Sequence, residues 1–139
     1  MEHVDTPINT RFSRWGRTAA LLGAFFFLLM GQAQAQVTVT GANSGDGTYG
    51  TLALAVSAIA GDQTGADIVF SVTANLTAGA TITQGAWNSL TIRPGGAAGA
   101  RTISQAVTNN GVIHLNGADR VTIDGLNSGG YSLTISNTN

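Results

Sequence analysis

Three isoleucines, Ile82, Ile103 and Ile123, recur 21 and 20 residues apart, each inside a Thr-bearing run: Ala80-Thr-Ile-Thr83, Arg101-Thr-Ile-Ser104 and Arg120-Val-Thr-Ile123. A second series, offset by about half a period, reads Ile68-Val-Phe70, Leu90-Thr-Ile92, Val112-Ile-His-Leu115 and Leu133-Thr-Ile135, with first residues 22, 22 and 21 apart. Two interleaved series sharing one period predict a solenoid in which each turn gives one strand to each of two parallel sheets. The expected fold is an all-β solenoid, a parallel β-helix of about four coils over residues 62–139.

The runs themselves suit that role. Val, Ile, Leu and Thr fit a pleated surface, and alternation as in Leu133-Thr-Ile135 puts apolar side chains on one face and Thr on the other. Between the runs lie Pro94-Gly-Gly96, Asn109-Asn-Gly111 and Asn116-Gly-Ala-Asp119, all turn-forming compositions.

Upstream, Arg11, Arg14 and Arg17 precede an apolar run from Leu21 to Met30, followed by Ala33-Gln-Ala35. That order reads as a signal peptide over residues 1–35, with cleavage between Ala35 and Gln36 and export to the cell surface or medium. Ten apolar residues are too few for a membrane anchor, which needs about twenty. Beyond residue 35 the charges are Asp46, Asp62, Asp67, Asp119 and Asp124 against Arg93, Arg101 and Arg120, with neither Lys nor Glu. A net charge of −2 creates no field for nucleic acid or an anionic membrane. With no cysteine in the chain, disulfides and thiolate metal sites are excluded.

Residues 36–61 read as an N-terminal cap. Gln36-Val-Thr-Val-Thr40 alternates as a strand, Gly41 to Gly50 is rich in turn residues, and Thr51 to Ala60 places Leu52, Ala55, Val56 and Ile59 on one helical stripe ended by Gly61. At the other end Leu133-Thr-Ile135 still matches the repeat four residues before Asn139, which leaves an open coil. The expectation is that further coils follow Asn139; the alternative is a complete small protein whose open end dimerises.

The phrases Tyr49-Gly-Thr-Leu52, Ser89-Leu-Thr-Ile-Arg-Pro94, Val112-Ile-His-Leu-Asn-Gly-Ala-Asp-Arg-Val-Thr-Ile-Asp-Gly125 and Leu133-Thr-Ile-Ser-Asn137 carry a resemblance. In them the chain resembles the opening of the large secreted β-helix proteins of Bacteroidetes-type bacteria, within the pectin-lyase-like right-handed β-helix superfamily. The resemblance implies a right-handed coil, an exported protein and an adhesive or carbohydrate-associated role, with extracellular glycans or surface proteins as partners.

Chemistry-bearing residues are sparse. Asp119 and Asp124, with Arg120 and Arg101 nearby, are the nearest approach to a lyase or hydrolase site. Asn116, Gly117, Asp119, Asp124 and Gly125 are at the same time ordinary turn residues, which is the reading preferred here. His114 has no second ligand at metal-binding spacing. Asn43 and Asp46 lack the spacing of a calcium loop. Asn109, Asn110 and Asn116 are expected to stack at corners, and Trp87 and Tyr131 serve either packing or sugar stacking. Gly95-Gly-Ala-Ala-Gly99 leads into a strand, so it is no dinucleotide loop. No cofactor is implied. The committed function is an exported interaction protein; the alternative is the N-terminal part of a polysaccharide lyase or glycoside hydrolase.

Overall fold

Alternating burial organises the chain. In the computed structural model, which describes residues 34–96, 99–125 and 131–139, the strands bury every second residue. The elements are β1 (Val37–Thr40), β2 (Gly47–Tyr49), α1 (Leu52–Ala58), β3 (Asp67–Val72), β4 (Ala80–Thr83), β5 (Ser89–Pro94), β6 (Arg101–Gln105), β7 (Ile113–Asn116), β8 (Val121–Ile123) and β9 (Leu133–Asn137). Ile68, Phe70 and Val72 of β3 and Leu90 and Ile92 of β5 are wholly buried. Each such side chain contributes about 1.5–3 kcal/mol.

The architecture departs from the expected solenoid. A five-stranded sheet runs in the order β2-β1-β3-β5-β8, and β4-β7 and β6-β9 form two separate two-stranded sheets. The large sheet is mixed: β1 is antiparallel to both β2 and β3, whereas β3, β5 and β8 are parallel. This is a small mixed-sheet fold with one short helix, not an all-β, right-handed parallel β-helix of about four coils. Among the described residues no solenoid sheet is formed.

The register explains the error. Ile68 pairs with Leu90, one expected period on. Leu90, however, pairs with Val121, Ile82 with Leu115 and Ile103 with Ile135, each about one and a half periods on. Ile82, Ile103 and Ile123 therefore lie in three different sheets, and the period read along the chain is not the distance at which most strands meet. Assigning residues 62–139 to coils of a β-helix falls with it. A second correction concerns Gly41 to Gly50, read as turn throughout: Gly47–Tyr49 is a strand, with Tyr49 opposite Val37.

Helix α1 has a physical start. Thr51 is extended, with φ −144°, and its hydroxyl accepts the Leu54 N–H at 3.1 Å. Seven residues cannot hold a helix in water. Leu52, Ala55 and Ile59 are buried, and the helix packs against β4, β1 and β2. Gln63 is 1 % exposed, yet satisfied: its Oε1 accepts the Asn43 N–H at 2.8 Å and its Nε2 donates to the Ser44 carbonyl at 2.9 Å. This amide fastens the segment after β1 to the segment before β3. The signal segment expected over residues 1–35 lies, up to residue 33, outside the described residues. Gln36 is already tied to the sheet, donating to the Tyr49 carbonyl and accepting from the Thr73 N–H, both at 2.8 Å.

Candidate functional site

The outer face of the β6-β9 pair carries the most regular side-chain pattern on the surface. Ile103 is buried, so its neighbours Thr102 and Ser104 point the opposite way. The parallel register sets Thr102 beside Thr134 and Ser104 beside Ser136. Leu76 bridges to Ile103 in parallel, which brings exposed Thr77 alongside Ser104. Adjacent strands stand about 4.8 Å apart, and alternate residues repeat about every 6.6 Å along each strand. The result is a small grid of hydroxyls with no charged side chain among its members. Each hydroxyl both donates and accepts, so the grid suits a neutral ligand that itself presents repeated hydroxyls.

Side-chain amides close the margins of this face. Asn75 Oδ1 accepts the Thr102 N–H at 3.0 Å, and Gln105 Oε1 accepts the Gly79 N–H at 2.8 Å. Asn137, the register partner of Gln105, accepts the Val107 N–H at 3.1 Å and donates to the Val107 carbonyl at 2.9 Å. These amides, with Gln63, escaped the sequence reading, which looked for Asn109 and Asn110; both of those are exposed. The missed signal was an amide at the end of a β-run, in register with another one strand away.

The outer face of the five-stranded sheet is different in character. Thr38, Ser71 and Arg93 lie in one row, and Thr40, Val69, Thr91 and Thr122 in the next. At its edge Asp67 accepts from Ser89 Oγ and Asn88 Nδ2, both at 2.7 Å, and these bonds hold its carboxyl below the usual carboxylate range. An arginine, a valine and a fixed carboxylate interrupt the hydroxyls here.

Of the catalytic candidates, Asp119 and Arg120 meet: Arg120 Nε lies 3.6 Å from Asp119 Oδ1, with both side chains about half exposed. Asp124 stands at the other end of β8. The backbone of these residues is occupied in the sheet, since the Arg120 carbonyl accepts the Leu90 N–H at 3.0 Å and the Asp124 N–H donates to the Ile92 carbonyl at 2.8 Å. Arg120 adopts φ 54°, unusual for a side chain of its size. Asn116 ends β7, Gly117 turns with φ 74°, and the Gly125 carbonyl accepts the Leu133 N–H at 2.7 Å. These are the turn roles that their residue types suggest. His114 pairs with Thr81 across β4-β7. Asp46 accepts the Ala42 N–H at 2.8 Å within its own loop. Among the described residues no group of three or more His, Asp or Glu converges as a metal site.

Two clefts complete the inventory. One, of about 260 Å³, lies between the end of α1 and the segment after β4, bordered by Val56, Ser57, Gln84 and Trp87. The other, about 290 Å³, is bordered by Ala53, Thr81, Gln105 and Asn110. Trp87 is 4 % exposed and offers no open ring face for a sugar. Compared with known protein families, curated proteins and solved structures, the chain matches none.

Proposed function

We propose that this chain is an exported binding module that holds neutral glycans on the outer face of β6-β9, in an adhesive or surface-display role. The observation that carries the reading is the hydroxyl grid of Thr77, Thr102, Ser104, Thr134 and Ser136. Its repeat along and across the strands matches an extended polymer better than a single small molecule. One hydroxyl contact gives little net free energy, about 0.5–1.5 kcal/mol. Several in register on one polymer give useful avidity, the more so when many copies are displayed together. The three arginines and five aspartates beyond residue 35 favour a neutral partner over a polyanion.

Retention of the purified protein on a panel of immobilised neutral polysaccharides tests this. Thr102→Val combined with Thr134→Val removes two hydroxyls while keeping shape. Loss of retention with an unchanged melting temperature is the expected result. Unchanged retention, or polysaccharide cleavage that Asp119→Ala abolishes, refutes it.

A further inference from the structure

The buried columns of the core all end on one side of the molecule, and they end exposed. Phe70 and Ile92 are fully buried, but Ile123, next in that column, is 41 % exposed. Likewise Ile82 leads to Leu115 at 42 %, and Ile103 leads to Ile135 at 40 %. Val121, Leu133 and Ile113 beside them are partly buried. The strands that carry these residues, β7, β8 and β9, have a strand neighbour on one side only among the described residues. None contains Pro or Lys, the usual means of blunting an edge.

The charges around β8 point to what covers it. Its sequence with flanks is Arg120-Val121-Thr122-Ile123-Asp124, positive at one end and negative at the other. The Arg120 carbonyl and the Asp124 N–H both face β5. Backbone groups alternate along a strand, so those of Val121 and Ile123 turn to the outer edge. We infer that β8 pairs antiparallel with β8 of a second copy of this chain, centred on Thr122. In that register Val121 and Ile123 exchange hydrogen bonds with Ile123 and Val121 of the second copy. Arg120 then stands opposite Asp124 of the second copy, twice over, by the two-fold axis. The contact between Arg120 and Asp119, at 3.6 Å and exposed, is loose enough to be exchanged. An isologous edge of this kind closes at the dimer, with Leu115 and Ile135 brought under the same cover.

This surface is separate from the hydroxyl grid, so the two ideas stand or fall independently. The test is sedimentation equilibrium of the purified protein over a wide concentration range. The wild-type chain forms dimers and nothing larger. Arg120→Asp and Asp124→Arg each place like charges opposite one another, and each weakens dimerisation about tenfold. An equimolar mixture of the two variants recovers it, because in the mixed dimer every facing pair is again opposite in sign. Ile123→Lys, which charges the edge without touching either flank, abolishes association while circular dichroism remains that of the wild type. A wild-type protein that stays monomeric throughout, or assembles beyond a dimer, overturns the inference. So do folded single variants that dimerise like the wild type, or a mixture of them that shows no recovery.

Discussion

The Trp87 indole N–H donates to the Asp119 carbonyl oxygen at 3.1 Å, linking the segment before β5 to the turn before β8. Gly85 lies flat against the same ring: a Cβ there would run into its six-membered portion. Trp87 is thus a packing residue with one satisfied polar atom, not a platform for a sugar. Trp87→Phe keeps most of the ring and loses the hydrogen bond, for an expected loss of about 1 kcal/mol. Trp87→Ala removes the ring and costs about 3–5 kcal/mol. Urea denaturation of the two variants reads the difference.

Gly79 and Gly65 separate two reasons for glycine. A Cβ on Gly79 would overlap the Val112 carbonyl oxygen, which also accepts the Ala80 N–H at 3.1 Å. At Gly65 a Cβ meets nothing within 4 Å, but φ is +75°. Gly65→Ala therefore carries only the left-handed backbone penalty, about 1–2 kcal/mol. Gly79→Ala forces β4 away from β7 and is expected to cost about 3 kcal/mol. Melting temperatures should fall in that order, with Gly79→Ala the lower.

Acid should weaken the fold through Asp67. Ser89 and Asn88 hold its carboxyl below the ordinary value of 3.8, so the folded chain binds this proton less readily than the unfolded chain. The stabilisation is complete above that ordinary value and is lost as pH falls through the lower folded one. Asp62, lowered by its bonds to the Thr64 side chain and backbone, acts in the same direction. Stability measured from neutral pH down to strong acid should decline below about pH 4, and Asp67→Asn should flatten part of that decline. A variant with the same acid slope as the wild type would contradict this.

Asn137→Leu tests the amide margin. It removes both bonds to Val107, whose N–H and carbonyl then turn to water. Because the site is exposed, the expected loss is modest, about 0.5–1.5 kcal/mol. Hydrogen exchange at the Val107 amide should accelerate more than at Ile103, which lies in the same sheet but is buried.

Strand positions were legible because alternation is local. Asp67–Val72, Ser89–Pro94 and Leu133–Asn137 each show their buried face in the order of residues alone. Partner choice was not. It depends on how far each connection carries the chain before it returns, and the segment between β4 and β7 holds two further strands that the spacing of Ile82 and Ile103 conceals. Strand β2 was hidden because Gly47 and its neighbours read as turn; only pairing with Val37–Val39 makes them a strand. At the surface, the Thr runs were visible, but their alignment into a grid requires the register of β6 on β9. Asp119 and Arg120 drew attention as charges in an uncharged stretch, although their backbone roles in the β5-β8 ladder account for their positions.

The central claim is that the β6-β9 face binds glycan. Methyl spectra of the threonines, recorded while a neutral oligosaccharide is titrated in, test it most directly. The account predicts that Thr77, Thr102 and Thr134 shift together and saturably, with larger effects for longer oligosaccharides. If those three stay still while Thr83, beside the cleft under Trp87, or no threonine at all responds, the grid is not the binding surface.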